Sequence, residues 1–309
     1  MKIGIVISGG DVSGINNFIF QIARLASADI TVFNGGIPGL LDKNHHEVAW
    51  RDLVDFSITS IPIITSGRTS RKLLRSEYET IAKKIKSLRI DVLIMAGGDG
   101  SLQFLNTLSE FDINCFGVGM TIDNDVYGSD YTIGFSTACE QIIKEVSRLR
   151  NTGRALPGRV FMVEILGGYC GELTLQSAIK SNADIALIPE SQMPLEALAE
   201  RVKHKLKQQN SVVILCSEGY TREYSPGFQG AIDTMIKQLE PQIGVRIRKT
   251  IVGYGLRSGD PTCEEIYQGT IMACEVVRCI QSGMKNKAII INSSNKPIPI
   301  DLVSMKKRL

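Results

Sequence analysis

The residues best suited to chemistry lie between Gly119 and Gly134, in GMTIDNDVYGSDYTIG. Asp123 and Asp125 stand two apart, flanked by Thr121 and Asn124, and follow the apolar run Ile113 to Val118, which reads as a buried strand. Ligands of open α/β sheets bind just outside the carboxyl ends of strands, so carboxylates here are placed to draw a proton or hold a cation. Spacing alone does not name the reaction, because acidic loop residues also form turns and caps. Two glycine-rich loops keep this stretch company. Ser8 to Gly14 (SGGDVSG) follows Ile3 to Ile7, and Ala96 to Ser101 (AGGDGS) follows Ile90 to Met95 and adds Asp99. A small-residue turn between a strand and a helix offers amides to phosphate oxygens and a carboxylate to magnesium. The first loop has neither the ending of a Walker loop nor dinucleotide-fold spacing. A third polar cluster, from Thr65 to Lys72 with Arg68 at its centre, suits either a nucleotide's phosphates or the polar start of a helix.

These loops need elements to hold them. Unalternated apolar runs mark strands covered on both faces. They occur at Ile3 to Ile7, Ile30 to Phe33, Ile61 to Ile64, Ile90 to Met95, Ile113 to Val118, Arg159 to Leu166, Ile185 to Ile188, Val212 to Leu215 and Thr250 to Gly253. Helical spacing covers Asn16 to Leu25, Tyr78 to Leu88, Ala138 to Leu149, Leu195 to Leu206 and Ile232 to Leu239. Gly35 to Gly39 (GGIPG) reads as a loop because of its breakers. Alternation of the two element types predicts parallel α/β units with crossovers, and no strand is assigned beyond Gly253.

A chain of 309 residues with 43% hydrophobic residues suggests two domains. Its net charge of +3 and 6% aromatics argue against nucleic acid or an anionic membrane as partner. Seven scattered cysteines without a C-x-x-C pair suit a reducing compartment. His45, His46 and His204 do not form a metal pattern. No apolar run approaches a membrane span and Lys2 leads straight into a strand, so a cytoplasmic protein is expected.

Taken together and in order, the motifs resemble the 6-phosphofructokinase family of the bacterial, ATP-dependent type. They are SGGDVSG at Ser8, SGR at Ser66, GGDGS at Gly97, TIDND with DYTIGF at Thr121, VEILGGYCGELTLQSAI at Val163, EGY at Glu218 and RKTIVGYGLRSGDP at Arg248. The resemblance implies two doubly wound, mostly parallel α/β domains with the active site in the cleft between them. The nucleotide domain would take 1–136 plus about 256–300, and the sugar-phosphate domain 137–255 plus about 301–309. It implies Asp123 as the base that draws the proton from the 1-hydroxyl of fructose 6-phosphate, with Thr121 and Asp125 beside it. Asp99 matches the magnesium-linked acid. Gly9, Gly10, Arg68, Gly100 and Ser101 match contacts to ATP. Arg159 and Arg248 match arginines that reach a sugar phosphate across a subunit interface. Glu218, Arg257, Leu166, Gly167 and Tyr254 fall at acceptor positions of the same chain. A homodimer or homotetramer is therefore implied, with Mg2+, ATP and a sugar phosphate as its small-molecule partners.

The chain also departs from the family. Gly168 stands where the family has an arginine that stabilises the transferring phosphoryl, a charge typically worth several kcal/mol. Arg154, Arg71 and Lys72 are the candidate substitutes by sequence. Met120 matches neither the glycine of ATP users nor the lysine of pyrophosphate users, whereas Gly100 favours ATP. Tyr254 replaces a histidine, and Ser258-Gly259-Asp260 replaces the usual G-G-S. Arg24, Arg150 and Glu190 align with effector positions, but Phe20 and Gln209 replace basic residues there, so the usual allosteric control is not expected. Alternative readings are a kinase of another sugar phosphate or related alcohol, a pyrophosphate-dependent enzyme, and a non-catalytic ligand-binding homologue.

Overall fold

The structure is a computed structural model that describes all residues except 29, 43, 70, 224–230 and 306–309. Ser70, within the polar cluster after Ile64, is thus outside the described residues. The chain divides into two compact units, 1–137 with 257–309, and 138–256.

The first unit is built on strands β1 (Ile3–Ser8), β2 (Ile30–Phe33), β3 (His45–Val48), β4 (Val92–Gly97) and β5 (Cys115–Gly119), with β10 (Lys287–Ile291) and β11 (Pro297–Asp301) near the C-terminus. Their order is β11-β10-β5-β4-β1-β2-β3. The central pairs are parallel, while β3 and β11 run antiparallel on the two edges. β1 and β4 are buried along their whole length, as their unalternated apolar runs predict. Around this sheet lie helices α1 (Ile15–Ala26), α2 (Gly36–Leu41), α3 (Arg75–Ser87), α4 (Asp99–Ser109) and α9 (Cys263–Gln281).

The second unit carries a four-stranded sheet of order β7-β8-β6-β9, all parallel. Its strands are β6 (Arg159–Ile165), β7 (Ile185–Leu187), β8 (Ser211–Ser217) and β9 (Ile247–Ile251). Its helices are α6 (Glu172–Ser181), α7 (Leu195–Gln208) and α8 (Ala231–Ile243). Helix α5 (Phe135–Ala155) starts in the first unit and continues in the second.

Four expectations are revised. Ile61 to Ile64 is not a strand, and only Ile64 among those residues is buried. Gly35 to Gly39 is not a loop: Gly35 at φ 83 starts α2, which buries Ile37 and Leu40. Its glycines answer to crowding, since a Cβ on Gly39 would overlap the Asn34 carbonyl and one on Gly36 would meet the Gly67 backbone. The last strand of the second sheet is Ile247–Ile251 rather than Thr250 to Gly253. Residues 301–305 sit with the first unit, not with the sugar domain, because Asp301 ends β11 and Leu302 is buried in the first unit's core.

Candidate active site

In the first unit, parallel pairing brings three loops to the carboxyl ends of β1, β4 and β5. Ser8 is in register with Gly97, and Gly97 with Gly119. The chain beyond β5 is tied on, as the Met120 amide donates to the Gly97 carbonyl at 2.9 Å. Beside β1, the Gly9 amide donates to Gly67 O at 3.1 Å and Ser66 Oγ donates to Gly9 O at 2.8 Å. The glycine turn and the Ser66-Gly67-Arg68 segment are therefore one structure, and Arg68 is exposed beside it.

The 121–134 loop is braced from within. Ile133 pairs with the chain after β5: its amide donates to Gly119 O and its carbonyl accepts from Thr121 N, both at 3.0 Å. Thr132 Oγ1 donates to Thr121 O at 2.7 Å, and Asn124 Nδ2 donates to Asp130 O at 3.1 Å. Asn124 takes φ 52, a left-handed geometry that asparagine tolerates. Within this frame the Asp123 amide donates to Thr121 Oγ1 at 3.1 Å, which fixes the backbone from which the Asp123 carboxylate extends. Asp123, Asp125 and Thr121 are half-buried.

Asp99 is the first residue of α4, where a carboxylate is favoured by the helix dipole. Its Oδ1 accepts from the Tyr127 amide at 3.3 Å, so it touches the loop that carries Asp123. A Cβ on Gly98 or Gly100 would meet nothing within 4 Å, so the turn has open space beside it. Ser101 is buried, its Oγ 3.5 Å from the Ser8 carbonyl. The glycine turn and the acidic loop also abut, because a Cβ on Gly134 would stand 2.5 Å from Val12 Cβ.

Among the described residues no group of three or more His, Cys, Asp or Glu could cage a metal ion. Magnesium is usually held by one or two carboxylates together with substrate phosphates. Asp99 is the carboxylate of this turn that could serve such a cation.

Arg257 also belongs to the first unit. Its guanidinium lies over Gly10, where any side chain would collide with it, and Nη1 donates to Asp11 O at 3.2 Å. The Ser258-Gly259-Asp260 segment is fastened to the same region by Ser13 Oγ to Gly259 O at 2.5 Å and by Ser60 N to Asp260 Oδ1 at 3.3 Å. Asp11, Asn16, Ser60, Ser66 and Arg257 line a small open pocket. Met120 is 2% exposed, so its side chain packs in the core instead of facing a ligand.

The second unit holds the other predicted positions. Glu218, just past β8, accepts with Oε1 from Gly168 N at 2.7 Å and Gly167 N at 3.1 Å, which locks the turn after β6. Leu166 is half-buried, Gly168 takes φ 56 with nothing within 4 Å of its Cβ direction, and Tyr254 is 83% exposed. Glu164 on β6 is half-buried, and burial raises its pKa against the opposing pull of Lys249.

Arg159 opens β6 at the end opposite Leu166 and Gly167, so seven residues of strand, about 20 Å, separate it from that turn. Arg248 pairs opposite Phe161 and lies near the same starting end. Within one chain these arginines and the Glu218 turn are therefore not brought together.

The candidates to replace the missing arginine are placed as follows. Arg71 is held by Glu77 through a two-pronged pair, Nη2 to Oε1 at 2.6 Å and Nη1 to Oε2 at 2.8 Å. That pair holds the Glu77 pKa down at about 2 while Glu77 caps α3. Arg154 sits in the last turn of α5, exposed, and Lys72 is exposed before α3. Of the effector-aligned positions, Arg150 is paired with Asp184 at 2.9 Å and Glu190 Oε1 accepts from Gly171 N at 2.7 Å.

The residue missed by sequence reasoning is Glu265. It is fully buried in the first turn of α9 and accepts from Gly134 N at 2.6 Å and from Thr137 N and Oγ1 at 3.1 Å each. Its only local signal is an N-cap pattern, Thr262 followed three residues later by Glu265.

Comparison with known proteins agrees with this architecture. A family model described as Phosphofructokinase matches residues 2–280. A probable ATP-dependent 6-phosphofructokinase of Mycoplasma pneumoniae is 33% identical over 304 residues, covering 97% of this chain and 90% of its own. The ATP-dependent 6-phosphofructokinase of Teredinibacter turnerae is 30% identical over 302 residues, covering 95% and 90%. Among solved structures, the Saccharomyces cerevisiae phosphofructokinase superposes with a TM-score of 0.84 at 26% identity over 98% of this chain, which spans 45% of the yeast chain. A pyrophosphate-dependent phosphofructokinase from Nitrosospira multiformis shares the fold, with a TM-score of 0.87 at 18% identity, covering 99% of this chain and 85% of that one. The chain belongs to the phosphofructokinase family, phosphotransferases with an alcohol acceptor.

Proposed function

We propose that the protein transfers the γ-phosphoryl of ATP to the 1-hydroxyl of fructose 6-phosphate. The observation that carries this reading is the placement of Asp123. A self-braced loop holds it beyond β5, and the same loop donates its Tyr127 amide to Asp99, in the turn where Gly98 and Gly100 have open space in their Cβ directions.

In the proposed reaction the Asp123 carboxylate takes the proton of the attacking hydroxyl as that oxygen bonds to the γ-phosphorus. The bond from phosphorus to the β,γ-bridging oxygen breaks, and its electron pair leaves with ADP. A base within hydrogen-bond reach of a nucleophile is worth roughly 100-fold to 10,000-fold. The Gly9–Gly10 turn and Gly100, with Ser101 and Arg68, would hold the donor phosphates, the Gly9 amide itself being engaged by Gly67 O. Asp99, with Asp125 close by, would hold Mg2+, whose charge offsets that of the donor phosphates when bound. Thr121 fixes the loop through its contact with the Asp123 amide.

Arg159 and Arg248 stand at the sheet end opposite the Glu218 turn, which supports their serving a neighbouring subunit's acceptor. The working enzyme would then be a homodimer or homotetramer, acting in the cytoplasm. Glu218, Arg257, Leu166, Gly167 and Tyr254 are the acceptor-side candidates of the same chain.

A second reading, a different phosphorylated acceptor, is favoured by the absent side chain at Gly168 and by exposed Tyr254. An ADP-release assay with ATP over a panel of sugar phosphates, repeated with pyrophosphate as donor, separates these readings. Fructose 6-phosphate with ATP is expected to give the highest kcat/KM, and Asp123→Ala should lower it by about 1,000-fold. Turnover that survives Asp123→Ala would end the proposal.

A further inference from the structure

Glu265 is a carboxylate with 0% exposure that the reaction above does not use. It belongs to α9, yet its partners lie at the N-terminus of α5. Residues Gly134 to Thr137 expose the amides that a helix start leaves without internal partners. Helix α5 lacks a Ser, Asp or Asn of its own at Gly134 to supply them. Glu265 does so from another part of the fold, with Oε1 on the Gly134 amide and Oε2 on both the amide and the hydroxyl of Thr137. The helix dipole favours a negative charge at this point.

The contact is reciprocal. Thr262 Oγ1 accepts from the Glu265 amide at 3.1 Å to cap α9, and it also meets Ser136 Oγ at 2.5 Å. A third segment closes the arrangement, since a side chain on Gly14, the last residue of the first glycine turn, would collide with Glu265 Cγ. Tyr131 is buried beside the same carboxylate, and burial, helped by that charge, raises its phenol pKa.

From Glu265 a short series of bonds leads to Asp123. Gly134 follows Ile133, whose carbonyl accepts from Thr121 N at 3.0 Å, and Thr121 Oγ1 accepts from the Asp123 amide at 3.1 Å. The glycine turn, the Asp123 loop and α9, which follows Arg257 closely in the chain, are thus joined at one buried group. We infer that Glu265 is a positioning residue for phosphoryl transfer, setting the loop that carries Asp123 against the glycine turn without touching substrate. This inference rests on the proposed role of Asp123.

The test compares Glu265→Gln, Glu265→Asp and Asp123→Ala in the full chain at about pH 8, above the Glu265 pKa of about 7, where the carboxylate is ionised. Glutamine keeps the volume but turns an amide group, a donor, toward donors. It should lower kcat about 10-fold to 100-fold while the KM for ATP and for fructose 6-phosphate stays within about threefold, because a misplacement near 1 Å costs that much. Amide hydrogen exchange at 121–134 should quicken in the same variant. Glu265→Asp, which keeps the charge but is one methylene shorter, should recover part of the lost kcat.

Unchanged kcat in Glu265→Gln with a lower melting temperature would overturn the inference and leave Glu265 a purely structural cap. If Glu265→Gln does not fold, Thr137→Val, which removes the hydroxyl's contacts with Glu265 Oε2 and the Thr262 amide and keeps the Thr137 amide bond, should lower kcat about threefold at constant KM; no change in kcat would count equally against the idea. Should Asp123→Ala retain full turnover, the functional reading itself fails. An inert Asp123→Ala beside a fully active Glu265→Gln defeats this inference alone.

Discussion

Gly168 shows how the backbone limits what one residue contributes. The family resemblance calls for an arginine there, but φ 56 is a left-handed conformation, and the space in its Cβ direction is open. An arginine would fit sterically at a backbone cost of about 1–2 kcal/mol. Gly168→Arg is therefore expected to lower the melting temperature by about 2–8 °C and, by restoring the charge that the family resemblance puts at the transferring phosphoryl, to raise kcat about tenfold. Steady-state kinetics beside a thermal melt checks both. Gly100 presents the reverse case. It lies in the first turn of α4 without a positive φ, and a Cβ there meets nothing within 4 Å. Gly100→Ala should stabilise the fold by about 0.5–1 kcal/mol, yet raise the KM for ATP, because the methyl would occupy the surface that the donor phosphates approach. A KM that does not move would remove Gly100 from the donor site.

At the scale of elements, the start of α5 illustrates a helix cap supplied from outside the helix. Burial raises the Glu265 pKa to about 7, against the lowering effect of the amides it accepts from. The consequence for stability follows from linkage. Below the unfolded value near 4.5 both states are protonated and no penalty exists. Between there and about 7 the unfolded chain ionises while the folded chain keeps its proton, so stability falls as pH rises, by up to roughly 3 kcal/mol in total. Urea denaturation from pH 4.5 to 8 should show that fall, and Glu265→Gln should flatten the slope in this window. Helix α2 carries a related lesson. Its Gly36 and Gly39 are dictated by the backbone of Gly67 and Asn34 pressing against them, not by a need for a turn.

At the scale of the molecule, each unit buries a hydrophobic cluster of its own among the described residues. One gathers Leu93, Leu102, Leu105 and Leu302 between the seven-stranded sheet and its helices. The other gathers Val160, Leu198, Val212 and Met235 around the four-stranded sheet. Truncating a buried leucine typically costs 2–5 kcal/mol, through lost burial and the cavity left behind. Leu105→Ala should then accelerate hydrogen exchange mainly in β4, α4 and β5, and Leu198→Ala mainly in β7, α7 and β8. Exchange followed by mass spectrometry checks this, because it reads each unit separately. Equal acceleration in both units by both variants would refute independent cores.

The glycine turns after apolar strands, the acids Asp99, Asp123 and Asp125, and the α/β class were legible in the sequence because each depends on neighbours a few residues away. An apolar run without alternation must be covered on both faces, and a turn opening into a helix must expose amides. Ile247–Ile251 was not legible as a strand. Its IRKTI is polar at the centre, and as an edge strand it pairs on one side only, with β6. Strand β10 was overlooked although its Ala288 to Ile291 run carries the same unalternated apolar signal, whereas the Pro-containing antiparallel β11 was hidden, since its pairing partner is chosen in space. Glu265 marks the limit most clearly: it reads as an ordinary acid in the first turn of a helix, but the groups that give it a purpose stand 131 and 128 residues away. Only folding brings that carboxylate, the Gly134 amide and Gly14 within contact, because burial and hydrogen bonding are decided by distance in space and not by order along the chain.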